Sequence, residues 1–376
     1  MIAQSAAACK YVDKTGRGIY TDHKRREGNA VRRWLMFLLL LFPVLAWAEP
    51  ATPYDPALML YYPRLTEPQQ QVFDLAYAGA AQGESRVELP GGVSYGDACA
   101  AVDALLLDCP ELCALSGAYS VGYYVSKPQE AIYIDMSYTL PITCQQQVME
   151  AAAAMADQAY GDEFERELFL HDLLCAQVAY GGEGETAHNA YGALVEGRAV
   201  CDGYAKAMTL LLRLTGIESG MARGVMLETG APHAWNLVKV DGAYTWLDVT
   251  NDDQAAMTSY FYYNITDEWL ERSHQPERND LPACTDRTVN WHVRNHRFVS
   301  NAEEMQKHVF NNFRNMIAYG NRFCLRFERE SDYLSLRDKV FFWAIQYNKL
   351  FEYPIEGQLH TFYNDAQRCV IIQIER

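Results

Sequence analysis

Two stretches decide how this chain folds: Ala199-Val-Cys201-Asp-Gly-Tyr-Ala205 and, further on, His233-Ala-Trp-Asn-Leu-Val-Lys-Val240, Asp241-Gly242, Ala243-Tyr-Thr-Trp-Leu-Asp248-Val249. Asp-Gly between two β-rich runs is the signal of a two-residue hairpin. If Val240 faces Ala243, then Trp235 faces Asp248 and His233 faces Thr250. Side chains alternate along a strand, so His233, Trp235 and Asp248 project from one face. His233 and Asp248 become diagonal neighbours, about 7–8 Å apart at the backbone and within side-chain reach. After Cys201, the residues Tyr204, Ala207, Leu211 and Leu214 recur at helical spacing, and Gly216 supplies the stop. Cys201 therefore sits at, or one residue before, the first turn of a buried helix. The spacing predicts an α+β fold in which that helix stands in front of the face bearing His233 and Asp248.

The residue types point to one chemistry. Unpaired N–H groups and the helix dipole favour an anion at a helix start, which depresses a thiol pKa and exposes a thiolate nucleophile. A histidine beside it serves as base, and an aspartate behind the histidine fixes its tautomer and stabilises its protonated form. Singly, each residue also reads as structural: a cysteine before a helix as a core thiol, a histidine in a strand as a packing residue. Trp246 reads as core, and Trp235 as either core or the wall of a substrate channel. An oxyanion hole would use the Cys201 backbone N–H and a second donor from the preceding loop, with Tyr191 as candidate.

A resemblance adds to this. The segment Tyr191-Gly-Ala-Leu-Val-Glu-Gly-Arg-Ala-Val-Cys201-Asp-Gly-Tyr-Ala is similar to the nucleophile segment of bacterial transglutaminase-like proteins. His233-Ala-Trp-Asn-Leu-Val and Asp248-Val-Thr match that family's His and Asp segments in order and spacing. His171-Asp172 and residues 260–266 also resemble flanking stretches of exported members. The resemblance implies a papain-like core, with a Cys-bearing helix packed on an antiparallel sheet bearing His and Asp. It also implies thiol acyl transfer or amide hydrolysis on protein or peptide substrates, without a cofactor. Cys201, His233 and Asp248 would be the catalytic residues. The chain departs from the family pattern at Asn251 and Gln254, where Trp and Pro are frequent, so substrate preference is not carried over. The alternative from another class is a non-catalytic envelope or binding protein that keeps the fold as a scaffold.

Outward from this core, three regions are expected: an N-terminal α+β region at 49–145, the catalytic core at 146–270 and a C-terminal α+β region at 271–376. The first contains helical patterns at 67–80 and 94–107 and β-rich runs at 119–125 and 131–138. An Ala-rich helix follows over 146–180, broken near Gly161. The last region shows helices at 302–317 and 333–347, and strands at 323–327 and 368–375. His171 reads as a surface or packing histidine. The pair Asp252-Asp253 reads as a solvated turn without calcium-loop spacing, and Asn264-Ile-Thr266 as a chance glycosylation sequon.

Of the 376 residues, the first 48 read as a leader. Arg32-Arg33, an apolar run over 34–45 and Ala46-Trp47-Ala48 form the three parts of a secretory signal peptide, cleaved after Ala48. The run is shorter than the roughly 20 residues of a membrane span. Residues 1–30 read as an over-extended start. The net charge of −16 becomes about −21 without the leader's eight basic and three acidic residues. With no basic run in the body of the chain, nucleic acid is not an expected partner. Ten cysteines suit an exported protein, and the even number left after Cys9 and Cys201 permits disulfides without assigning them. No paired CxxC spacing suggests structural zinc.

Overall fold

The computed structural model describes residues 54–375 apart from 125, 255–256, 278–279, 320–321 and 351–356. The leader expected at 1–48 lies outside the described residues. Helix α1 (Glu67–Gln82) opens with a Thr66/Gln69 capping box and closes on Gly83 in the left-handed region. Strand β1 (Arg86–Glu88) and helix α2 (Tyr95–Asp108), capped by Ser94, come next. Strands β2 (Leu115–Tyr124) and β3 (Lys127–Tyr138) complete a three-stranded sheet in the order β1-β3-β2. The connection between the two expected β-rich runs is shorter than their spacing suggested, because Lys127 and Pro128 already belong to β3.

The Ala-rich run divides as expected, into α3 (Thr143–Ala156) and α4 (Glu163–Gln177). Gly161 sits between them at φ +101°, and Asp162 begins α4 with a capping box to Glu165. Helix α5 (Cys201–Leu214) follows, with Cys201 as its first residue. The central sheet comprises β4 (Ser219–Met226), β5 (Pro232–Val240), β6 (Ala243–Leu247) and β7 (His274–Pro276), in the order β7-β4-β5-β6. The β5–β6 hairpin has the register that Asp241-Gly242 implies, with Val240 opposite Ala243 and Asn236 opposite Leu247. The C-terminal part contains α6 (Ala302–Tyr319), β8 (Arg322–Phe327), α7 (Glu330–Asn348), β9 (Gln358–Asn364) and β10 (Cys369–Glu375). Strand β10 pairs with β8 and β9, and Phe298–Val299 adds a parallel edge to β8.

Both faces of the central sheet are covered. Ala222, Trp235, Leu237 and Trp246 share one apolar cluster with Leu60, Tyr61, Phe73 and Leu105 from the N-terminal side and with Trp269 and Ile371 from the C-terminal side. Val238, Val240 and Leu247 share the other with Tyr204, Met208 and Leu211 of α5 and with residues of α3 and α4. Asn236, on this second face, donates to the Ala205 carbonyl (2.8 Å) and to Thr209 Oγ1 (2.9 Å) of α5. The helix therefore packs on the face opposite His233 and Trp235, which corrects the expectation that it stands in front of them. The reason is steric: the tryptophan side is already filled, while Ala234, Val238 and Val240 leave room for the apolar stripe of α5. Cys201 and His233 nevertheless line the same groove.

Among the described residues no helix is long and apolar enough to cross a membrane. The nine described cysteines are free thiols, with the buried Cys113 and Cys144 sulfurs 2.9 Å apart.

Candidate active site

Cys201 is set by the turn that precedes it. The Val200 N–H donates to the Ala187 carbonyl (2.9 Å), and the Val200 carbonyl receives the first helical bonds, from Gly203 and Tyr204. A Cβ at Gly203 would come within 2.7 Å of the Ala187 carbonyl oxygen and of Ala199 Cβ. Glycine there lets the first turn press against the 187–189 loop, which aims Cys201 at the groove. The Cys201 N–H, at the first helical position, has no intrahelical acceptor.

His233 lies near the start of β5 opposite Gly224, where a Cβ would strike the Gln275 carbonyl and Trp235. Strand β6 ends at Leu247, and Asp248 starts the short helix Val249–Asp252 by accepting from the Asn251 N–H at 3.0 Å. Its other oxygen, Oδ2, meets His233 Nε2 at 2.8 Å. Because Nε2 is engaged, Nδ1 is the nitrogen left for the thiol. Cys201 and His233 line one open groove of about 780 Å³, together with Cys175, Tyr180, Met226 and Asn251.

The electrostatics follow from the geometry. Burial alone would lower the His233 pKa, but the charge and hydrogen bond of Asp248, with a smaller share from Cys201, push it up to about 10. Burial works against the Asp248 carboxylate too, yet His233 and His274 together hold its carboxyl well below the usual range. His274 was not singled out by the spacing. It is buried at 1 % exposure and places Nε2 3.0 Å from the same Asp248 Oδ2.

His233, Asp248 and His274 are the cluster of potential metal ligands among the described residues, with donor atoms within 4.8 Å of one another. Its centre is filled by protein. The Asn251 side-chain nitrogen lies 2.6 Å from Asp248 Oδ2, 3.3 Å from His233 Nε2 and 3.5 Å from His274 Nε2. The amide donates to Asp248 Oδ2 and fills the space between the two rings, whose Nε2 protons also point at that oxygen, so these residues do not fit a resident metal as they stand. Asn251 is one of the two positions that depart from the family pattern.

Two sequence-derived candidates fall away from the groove. The Tyr191 N–H is taken by Asn189 Oδ1 at 2.9 Å, and its side chain packs in the α5 cluster, so it cannot serve as an oxyanion donor. Trp235 is 1 % exposed and does not wall the groove; its ring stacks on His233 with centroids 5.8 Å apart. Tyr180 occupies the wall instead. Its hydroxyl pKa is raised by burial and by the nearby Cys201 and Asp248.

The flanking motifs are also joined. His171 is buried, with Nδ1 3.0 Å from Asp172 and Nε2 3.4 Å from Asp252, and burial is outweighed by these carboxylates so that its pKa rises to about 9. Asp252 is buried and accepts from Ser259 Oγ and the Tyr262 N–H, while Asp253 takes the Tyr204 hydroxyl at 2.5 Å. The pair is thus a structural clamp, not a solvated turn. The Asn264 amide of the sequon is buried and donates to Glu167, out of reach of modification. A raised histidine pKa stabilises the fold below pH 6.5 and loses that contribution as pH climbs through 9. Urea unfolding between pH 6.5 and 9.5 is expected to lose at most about 3 kcal/mol from this source. Glu167, raised to about 7 by burial, completes its own change lower down. His171→Gln is expected to flatten the slope above pH 7, and an unchanged slope would contradict the assignment.

Residues 150–250 match the family model of the transglutaminase-like superfamily, so the chain carries a transglutaminase-like domain across Cys201, His233 and Asp248. Solved structures with similarity include a candidate cysteine protease from Cytophaga hutchinsonii (14 % identity, 35 % of this chain and 61 % of that one, TM-score 0.25). Others are a TGase (12 %, 38 % and 46 %, 0.26) and a candidate protease from Parabacteroides distasonis (16 %, 32 % and 28 %, 0.23). This chain therefore covers less than two thirds of the length of each. No curated protein matches it.

Proposed function

We propose that this protein is a cysteine-dependent enzyme acting on protein or peptide amides through a thioester, with Cys201 as nucleophile, His233 as acid–base and Asp248 as orienter. The observation that carries the reading is the Asp248–His233 contact at 2.8 Å, with His233 and Cys201 on one open groove. The Cys201 thiolate attacks the amide carbonyl carbon; the S–C bond forms and the carbonyl electrons move to oxygen. The Cys201 N–H is the first oxyanion donor. Collapse expels the amine, which takes its proton from His233 Nδ1, and leaves a thioester. An incoming amine then gives a cross-link, whereas water gives deamidation or peptide cleavage. Export, which rests on the leader-like segment, belongs to the same proposal, as do extracellular or envelope protein substrates.

The test is the pH dependence of iodoacetamide labelling. One thiol is expected to label rapidly below pH 7, and Cys201→Ala is expected to abolish that component. An ordinary thiol curve centred near pH 8.5 would instead favour a scaffold that keeps the fold without the chemistry.

A further inference from the structure

The Asp248 carboxylate receives more donors than a dyad needs, and the additional ones come from outside the matched domain. We propose that His274 is a positioning residue that, with Asn251, holds Asp248 against His233 and ties that carboxylate to the C-terminal sheet. This rests on the reading of Cys201, His233 and Asp248 as the working site.

The polarity of the contacts runs one way. Arg326 Nη1 donates to Gln367 Oε1 (3.2 Å), and Gln367 Nε2 donates to Ser273 Oγ (3.2 Å) and to the Trp269 carbonyl (2.9 Å). The Ser273 hydroxyl is 2.8 Å from His274 Nδ1, nearer than its other acceptor, the Leu270 carbonyl at 3.5 Å. With Nδ1 accepting from Ser273, His274 carries its proton on Nε2 and donates it to Asp248 Oδ2 at 3.0 Å. Each member thus fixes the orientation of the next, and the series ends on the oxygen that holds His233.

Every link is out of water. Arg326 and His274 are each 1 % exposed, Gln367 is 0 % and Ser273 8 %. Arg326 is itself pinned, by a bond to the Phe261 carbonyl and by the Trp269 ring 4.3 Å away. Gln367 lies in the turn between β9 and β10, where its N–H is held by Asn364 Oδ1 at 2.9 Å. Strand β7 brings His274 opposite Met226, at the end of the sheet where Gly224 faces His233. Arg326 Nε alone in the series is buried without a hydrogen-bond partner. The contacts from Gln367 through Ser273 and His274 to Asp248 are all made, and such a buried series holds the aspartate at its end in place. The C-terminal region is then part of the machinery that sets the His233 tautomer.

The experiment is iodoacetamide labelling of Cys201 across pH 5–10 on the full chain, comparing wild type with His274→Leu and His274→Gln. Leucine removes the donor to Asp248, whereas glutamine can place an amide N–H near the same point. The rate below pH 7 is expected to fall roughly ten-fold in His274→Leu, the loss typical of one hydrogen bond to a charged group. It is expected to stay within about three-fold of wild type in His274→Gln. Labelling above pH 9, where any thiol ionises, is expected to be equal in all three. A merely structural role would lower the folded fraction seen by circular dichroism without changing the profile of the folded molecules. Superimposable profiles for His274→Leu and wild type overturn the proposal. If His274→Leu does not fold, Gln367→Leu is read in the same way, with a smaller drop below pH 7 expected and an unchanged profile overturning it. A wild type without rapid labelling below pH 7 removes the underlying site reading, a result distinct from either.

Discussion

Asp248→Asn is expected to remove the rapid labelling of Cys201 below pH 7. His233 is largely buried, and burial by itself favours the neutral ring. Its pKa reaches about 10 because the Asp248 charge and hydrogen bond override that cost. An amide keeps the shape and takes away the charge, so burial prevails and the imidazolium that accompanies the thiolate is lost. The labelling rate at pH 6 is expected to fall to that of an ordinary thiol, of which only about 0.3 % is ionised there at a pKa near 8.5. Amide turnover is expected to fall further, because the neutral ring can also take the wrong tautomer. A variant that labels like wild type at pH 6 would mean that another group charges His233, and Asp248 would lose its assigned role.

The largest expected effect on stability lies far from the groove. Asp108 and Arg213 are both buried, and Arg213 Nη2 is 2.8 Å from Asp108 Oδ1. The Asp108 carboxylate also accepts the backbone N–H groups of Leu60, Tyr61 and Tyr62 at 3.0, 2.9 and 2.8 Å. Arg213 continues to the Ser219 carbonyl, at 3.0 Å from Nε and 2.6 Å from Nη2. One ion pair thus docks the entering N-terminal segment, the end of α2, helix α5 and the start of β4. Arg213→Met would leave a buried carboxylate without its cation and a buried carbonyl without its donor. Breaking such a pair costs about 3–5 kcal/mol, a large share of a typical domain's 5–15 kcal/mol. The urea midpoint is expected to drop accordingly with the slope unchanged. A loss under about 1 kcal/mol would mean that the three amides alone keep Asp108 satisfied.

What could be read in advance was local. Asp241-Gly242 set the hairpin register because a two-residue loop leaves no slack, and that register puts His233 and Asp248 within reach. The stripe after Cys201 and the glycine at 161 marked helix limits for the same reason: spacing and backbone freedom act within a few residues. The side of the sheet on which α5 packs was not legible. In Pro232-His-Ala-Trp-Asn-Leu-Val-Lys-Val240 both faces are apolar, so alternation does not choose between them. His274 was hidden because β7 is three residues long and reaches β4 without a tight turn. Asn251 was noticed only as a departure from a pattern. Its place between two histidines depends on the turn that Asp248 itself begins. Tyr191 failed as a donor because Asn189, two residues earlier, claims its N–H.

The burial of Trp235, Leu237 and Trp246 beneath both flanking regions bears on where this chain can be cut. A fragment trimmed to 150–250 would retain Cys201, His233 and Asp248 and look sufficient on paper. It would also strip the cover from one side of the sheet, leaving two tryptophans and a leucine as a sticky surface, and would sever Asn251 and His274 from the carboxylate they hold. The smallest unit that can be transplanted, displayed or evolved is therefore set by the outer layers and is much longer than the stretch that carries the motif.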